Sequence, residues 1–496
     1  MRRRALALPV VAMLAACATE PLHAPELPVV EQYTPAPVAA RTAGANVAGG
    51  QEQVFASGAD IPAQWWTLFR SPALDRLVRE ALEASPTLAR AQAKLRQAEE
   101  DLNARADTAT LPKVDAKLSA NRVDIPAGAF GGPGLPIATP LNLYLATVSV
   151  SYTLDLFGAT RNELASLRSA VDYERYEVEA ARLMLAGNVV TTAIREASLR
   201  SQIDDTAQII ALEERQLAIA ERMELAGGAA RADVVSQRAD LARTRALLPE
   251  LERSLQQARH RLAVYTGRPP SAPGLPEFTL SDLQLPAEMP VSLPSALARQ
   301  RPDIRAAEAL LQEAGARVGV ATANLYPQLT LSANAGSLAT NASNLFNSGS
   351  GFYLLGASLV QPLFHGGELE AKRRSAVAAY DQAAAAYRET VLAGLQNVAD
   401  ALRALEADAS KLKERADAAA RASDFERIAS ARYDAGGVSR VALLDAQRKV
   451  RSARLEQAQA VADRYADSAA LLQALGGGWW NEEAKGPAGS PKQAGR

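Results

Sequence analysis

The sequence predicts an α+β membrane protein whose protomer is a tandem repeat, and three observations carry that expectation. From Glu368 to Leu475, apolar or small residues recur at alternating steps of three and four, through Val377, Tyr380, Ala384, Tyr387, Val391, Leu395, Val398, Leu402, Leu405, Ala409, Leu412 and Ala416. This near-heptad stripe belongs to long amphipathic helices packed side by side. Four short segments alternate apolar with polar residues, the pattern of strands with one apolar and one polar face. The order helix, strand, strand, long helix, turn, helix occurs twice, and an internal repeat of this size outranks any single motif.

The chain begins with an address. Arg2-Arg3-Arg4 form a positive segment, followed by an apolar run from Ala5 to Ala15 that is too short to span a bilayer as a mature helix. Leu14-Ala15-Ala16-Cys17 then matches a bacterial lipobox, in which small residues admit the peptidase and the thiol accepts diacylglycerol. Residues 1–16 therefore read as a lipoprotein signal peptide, and the mature chain is expected to start at lipidated Cys17. Ala18 follows, not aspartate, so nothing argues for retention in the inner membrane and the outer membrane is the expected destination. Cys17 is the single cysteine of the 496 residues, which excludes an intrachain disulfide and a multi-cysteine metal site. A formal net charge of −1 gives no reason to expect nucleic acid. Hydrophobic content is 48% but aromatic content only 5%, with much alanine, which suits close helix packing better than a bulky globular core.

Residues 17–60 are rich in Pro, Ala and Gly and read as an extended tether. The first repeat covers 61–267. It opens at Trp65-Trp66-Thr67-Leu68-Phe69, continues as a helix from about Pro72 to Asp107, and has strands at about 113–123 and 143–154. In the second of these, Tyr144, Ala146, Val148, Val150 and Tyr152 alternate with Leu145, Thr147, Ser149, Ser151 and Thr153. A long helix at 159–226 turns at Gly227-Gly228 into a return helix at 229–266. Residues 268–292 are proline-rich and read as a connector. The second repeat covers 293–477, with a helix opened by Pro302, strands at about 328–336 and 352–361, a long helix at 366–435, a turn at Gly436-Gly437 and a return helix at 438–475. Arg432 to Gly477 aligns with Arg222 to Gly267 without a gap, so that Gln447-Arg448 match Gln237-Arg238. The tail 478–496 is expected to be disordered apart from Trp479-Trp480.

The repeat count constrains assembly. One chain supplies four membrane strands, whereas bacterial barrels need about eight or more, and an open sheet edge in lipid costs several kcal/mol per unpaired backbone group. An obligate oligomer is the expected solution, with polar faces lining a lumen. Each long helix, at ~1.5 Å per residue, reaches roughly 100 Å.

With these residues in hand, the sequence resembles the TolC-like outer-membrane factor family, in its lipoprotein branch serving resistance-nodulation-division efflux pumps. The resemblance rests on the lipobox at Cys17, on Trp65-Trp66-x-x-Phe69 with Pro72, Leu74 and Asp75, and on Asp155-Leu156-Phe157-Gly158 with Arg161. It rests further on Arg301-Pro302-Asp303-Ile304-Arg305-Ala306-Ala307-Glu308, Tyr326-Pro327, and Gln361-Pro362-Leu363-Phe364 with Gly366-Gly367. It implies a homotrimer: a twelve-stranded outer-membrane β-barrel continued by a twelve-helix periplasmic α-barrel. It also implies a periplasmic adaptor and an inner-membrane transporter as partners, outer-membrane lipid around the barrel, no cofactor and no metal.

By the same resemblance, Tyr433 matches the family's gating tyrosine, Asp445 one of its paired aspartates, and Asp233 the acidic partner of that gate. A threefold ring of Asp445 would favour cations. The pattern departs at Ala442, where a second ring aspartate is expected, and at Val438, where an arginine would tie the gate; Arg440 or Arg231 could substitute. The bland alternative is that these are solvated charges at a helix end. Gly227, Gly228, Gly436, Gly437, Val438 and Ser439 form the tips expected to contact the adaptor. Enzyme signals are weak. His365-Gly366-Gly367-Glu368 resembles an oxyanion loop, but no nucleophile elbow accompanies it. Two competing functions stay open: the outer component of a type I protein secretion system, and a non-conducting structural lipoprotein of the envelope.

Overall fold

The computed structural model describes residues 30–124 and 140–483. Cys17, most of the loop between the first two barrel strands, and the end of the tail lie outside the described residues. Along the chain run β1 (Val54–Ser57), α1 (Pro72–Ala84), α2 (Pro86–Thr110), β2 (Lys113–Val123) and β3 (Leu141–Leu154). The paired helices α3 (Ala159–Leu225) and α4 (Arg231–Tyr265) follow, then β4 (Glu288–Val291), α5 (Pro294–Gln300) and α6 (Pro302–Ala323). The chain continues through β5 (Gln328–Ala339), β6 (Gly351–Val360), α7 (Glu368–Asp434), α8 (Arg440–Ala474) and α9 (Trp480–Glu483). It divides into two compact units.

One unit, built around Leu95–Glu174 and Ala307–Tyr387, holds an antiparallel sheet of four strands in the order β2-β3-β5-β6. Its register sorts the side chains by polarity. Val114 lies opposite Val150, Val150 opposite Ala333, and Ala333 opposite Leu355. One residue along, on the other face, Lys113 lies opposite Ser151, Ser151 opposite Ser332, and Ser332 opposite Gly356. Because successive side chains alternate sides, the register keeps one face apolar across all four strands. That face is uncovered: Val114, Leu118, Val148, Leu331, Leu355 and Leu359 are all exposed.

The other unit, built around residues 30–94, Arg175–Ala306 and 388–483, carries most of the buried core. Val189, Val190, Ala193 and Ile194 of α3, Val398, Leu405 and Leu412 of α7, and Leu471 and Leu472 of α8 are at most 1% exposed. Phe69 is fully buried against the ring of Tyr465, and the Trp66 indole donates to Asp75 at 2.9 Å. The ion pairs of Arg238 with Glu221 (2.7 Å) and Lys411 with Asp463 (2.7 Å) tie α3 to α4 and α7 to α8.

Four expectations need correction. The helix expected over Pro72 to Asp107 is two helices, broken at Ser85, whose φ −66° and ψ 125° are extended. Pro86 disfavours helical geometry in the residue before it, and Arg301 before Pro302 breaks α5 from α6 in the same way. Residues 30–60 are not a free tether. β1 pairs in parallel with β4, and the fully buried Arg464 donates to Thr42 Oγ1 and to the Gln51 carbonyl, both at 2.8 Å. A buried guanidinium needs acceptors, and this segment supplies them. The ordered chain also runs past Trp479-Trp480, through α9 to Glu483, and Asn481 Nδ2 donates to the Ile61 carbonyl at 2.7 Å.

The fourth correction concerns the repeat alignment. The long helices have equal lengths of 67 residues and the return helices equal lengths of 35. Matching their ends pairs Gly227 with Gly436, Arg231 with Arg440 and Gly267 with Gly476, each of these glycines having positive φ. The ungapped alignment of Arg222 with Arg432 is therefore slipped by one residue, and Gln237-Arg238 do not correspond to Gln447-Arg448. In the structural register Asp233 stands opposite Ala442, and Ser236 opposite Asp445.

Candidate functional site

The two helix reversals share one backbone solution. At the first, Gly227 has φ +76°, its N–H bonds the Glu224 carbonyl at 2.9 Å, and the Gly228 N–H bonds the Met223 carbonyl at 2.7 Å. At the second, Gly436 has φ +72°, with bonds from Gly436 to Tyr433 (2.9 Å) and from Gly437 to Arg432 (2.7 Å). This is a Schellman ending, in which the left-handed residue is glycine because it has no Cβ to clash. All four glycines are exposed.

The side chains differ between the two. At the second reversal Ser439 caps α8, its Oγ accepting from the Ala442 N–H at 3.2 Å, while Val438 is half-buried beside it. Tyr433 packs against the buried cluster of Ala429, Leu443 and Ala446, and the Arg440 guanidinium sits over its ring at 5.2 Å. A cation held on an aromatic face contributes ~0.5–1 kcal/mol at an exposed site. At the first reversal Ala230 is the cap and offers no side-chain acceptor. Arg231 and Asp233 are exposed and, among the described residues, form no ion pair. Asp233 stands in the first turn of α4, where the helix dipole favours a carboxylate.

Asp445 does not stand free. Arg448 reaches it at 3.0 Å and Lys449 at 2.9 Å, both from its own helix. Burial pushes its carboxyl up, and the bonds from Lys449 and Arg448 outweigh that, so it is held below the ordinary aspartate range. The structure thus joins Tyr433 to Arg440 and gives Asp445 two cations, but joins neither arginine to an acidic gate residue. The pairing of Asp445 is legible as spacing, since positions three and four along a helix are neighbours.

Two further charge clusters leave no mark in the sequence. Glu196 on α3 is fully buried and accepts from Arg259 of α4 (2.8 Å) and from Arg200 (3.1 Å), which also reaches Glu277 of the connector at 3.0 Å. Burial nevertheless raises its carboxyl. On α7, Asp408 faces Asp467 of α8. Desolvation first, then the hydrogen bond and charge of Asp467 and the charge of Asp463, push Asp408 up to about 7, with Lys411 opposing. Helical periodicity shows such residues only as interruptions of a stripe, so nothing marks them as partners.

Among the described residues no group of three or more His, Cys, Asp or Glu could hold a metal ion, and no helix is long and apolar enough to cross a membrane.

Comparison with known proteins converges on one group. The family model described as "Outer membrane efflux protein" matches residues 77–268 and 293–477. The pyoverdine export outer membrane protein OpmQ of Pseudomonas putida is 32% identical over 439 residues, covering 87% of this chain and 92% of that protein. The antibiotic efflux pump outer membrane protein ArpC of Pseudomonas putida is 29% identical over 506 residues, covering 97% of each. Among solved structures, the outer-membrane channel OprN superimposes with a TM-score of 0.78 at 28% identity, covering 88% of this chain and 97% of that one. The open state of the Neisseria gonorrhoeae MtrE outer membrane channel gives 0.77 at 24% identity, covering 93% and 98%, a likeness of fold.

Proposed function

The chain belongs to the outer membrane efflux protein family, and we propose that it is the passive exit duct of a tripartite resistance-nodulation-division pump. The sheet carries this reading. Its outer strands β2 and β6 each have one unpaired edge in the protomer, and hydrocarbon offers no water to satisfy those backbone groups. Closure needs further strands, and three copies supply twelve. The apolar face is tall enough to cross the outer membrane. From Tyr144 to Leu154, β3 climbs roughly 34 Å at ~3.4 Å per residue. At a strand tilt near 40° that leaves about 26 Å, against a belt of ~25 Å in outer-membrane barrels. The polar face then lines water. The helices α3 and α7 are each about 100 Å long at ~1.5 Å per residue, the length that a tunnel through the periplasm calls for.

In this duct no bond is made or broken, and the driving energy belongs to an inner-membrane transporter coupled through a periplasmic adaptor. The glycine reversals, exposed and alike in backbone, are the adaptor-contacting tips. Tyr433, held by Arg440, closes the periplasmic end, with the free carboxylate of Asp233 supplying negative charge there. Asp445 contributes less than a bare ring would, because Arg448 and Lys449 offset it. The lipid on Cys17 anchors the mature chain.

Purified lipidated protein should give discrete channels in planar bilayers, and a strain lacking the gene should retain pump substrates and become more drug-sensitive. Electrically silent bilayers, with drug sensitivity unchanged by deletion, would refute the duct.

A further inference from the structure

We propose that Lys113 and Lys117, with Asp115 between them on the water-lined face of β2, make the barrel section of the duct an anion site for solutes that carry several acidic groups. The inference deepens the channel reading and rests on it.

The barrel segments carry their charge in one place. From Lys113 to Leu154 the charged residues are Lys113, Asp115, Lys117, Arg122 and Asp124, and from Gln328 to Val360 there are none. The register divides them between faces. Val114, Ala116 and Leu118 lie opposite Val150, Val148 and Ala146, which is the apolar face. Lys113, Asp115 and Lys117 alternate with them and project to the other side. There they lie opposite Ser151, Ser149 and Thr147 of β3, followed by Ser332, Asn334 and Gly336 of β5 and Gly356, Leu354 and Phe352 of β6. Arg122, opposite Asn142, falls on the outer face at the loop end.

Nothing within the sheet offsets the two lysines except Asp115. All three side chains are exposed, and among the described residues no ion pair engages them. Ser149 Oγ donates to the Asp115 carbonyl at 3.3 Å, not to its carboxylate. At the foot of the strand, Asp155 and Glu163 line the same cavity as Lys113, but they already hold Arg161 (3.4 Å) and Arg105 (2.5 Å). Closure adds no counter-charge either. β2 and β6 are the two edge strands, so a ring of identical copies sets β2 of one beside β6 of the next. β6 contains no charged residue, so no register of that junction brings an acid to the lysines. Each chain therefore adds a net positive charge to the inner wall.

That charge is felt across the bore. From Lys113 to Lys117 the stripe climbs about 14 Å at ~3.4 Å per residue. Twelve strands ~4.8 Å apart and tilted ~40° close at a backbone radius of about 12 Å. With a Debye length of ~10 Å at ~0.1 M salt, the field of lysines on that wall reaches the axis, whereas at ~1 M it decays within ~3 Å. The attraction grows with the charge on the solute, so polyvalent anions are held where monovalent ones pass. The neutral hydroxyls of β3 and β5 give no such gradation.

The test uses full-length lipidated protein in planar bilayers, with benzoate or benzene-1,3,5-tricarboxylate added on the loop side. The two probes share a ring and differ in charge. In ~0.03 M potassium chloride the tricarboxylate should reduce the current at about a tenfold lower concentration than benzoate, and the gap should close at ~1 M. The combined Lys113→Gln and Lys117→Gln variant should lose that preference, and its reversal potential in a salt gradient should move towards potassium. Asp115→Asn should move it towards chloride and strengthen the block. Equal block by the two probes in dilute salt overturns the anion site and leaves the channel standing, and this comparison needs no variant to fold. A preference that survives in a conducting double variant also overturns it. No current from the unaltered protein removes both the channel and the site.

Discussion

β6 and α8 belong to the same repeat, and both are rich in apolar residues, yet the protomer treats them oppositely. Every residue of β6 from Gly351 to Val360 is exposed, whereas α8 buries Leu443, Leu444, Val450, Tyr465, Leu471 and Leu472. The helix finds its cover within the chain, against its long partner and the segment around Gln53. The strand finds none there, because its apolar face is meant for lipid and its free edge for another copy. Apolar patterning states that a surface will be covered. It does not state by what, and that second fact separates a globular core from a third of a barrel.

The contrast can be broken most forcibly on the strand side. Leu355→Arg places a charge on the outer face and should cost about 2–4 kcal/mol of assembly, read as a lower melting temperature of the detergent-solubilised oligomer. Ser332→Arg, on the polar face, should cost little. Equal effects of the two would erase the difference between the faces.

On the helix side, Arg464→Ala removes the buried donor to Thr42 and Gln51. The orphaned acceptors should cost about 1–3 kcal/mol. Limited proteolysis should then cut within residues 30–60 while leaving the barrel oligomeric. Continued protection of that segment would count against the guanidinium as its clasp.

A smaller effect belongs to Asp408. Its folded value of about 7 lies above the ordinary 3.8. Its stabilising contribution is therefore complete below pH ~4 and lost as pH rises through ~7. Asp408→Asn should match the unaltered protein at acid pH and exceed it by about 1–2 kcal/mol near pH ~8.5, after allowance for solvent screening. Melting curves across that range check the sign. The smallest effect is expected at Asp445, where Asn should reduce cation selectivity only slightly, because two cations already offset the carboxylate. A large change in reversal potential would show an unscreened ring instead.

The parts of this architecture visible in the sequence are those encoded by local period. Alternation over residues 113–123 coincides with β2, and the glycine pairs at 227–228 and 436–437 mark the reversals observed. The parts that stay hidden depend on distant partners or on a single residue. The segment before Ile61 is composed like a tether, and only the parallel pairing of Val54–Ser57 with Glu288–Val291 makes it structure. The break at Ser85 rests on one proline. The one-residue slip in the repeat alignment arises because a shared Gln-Arg pair is a stronger local signal than helix length. At the candidate gate, Asp445 and its two cations are readable as helix spacing, whereas the seating of Arg440 on Tyr433 depends on the geometry of the turn between them.

The most direct test of the assembly is the native mass of the lipidated protein released intact from detergent. The sheet with two free edges requires three chains in one closed particle, with no stable lone chain. A persistent monomer that still bound detergent through its apolar face would contradict the shared barrel.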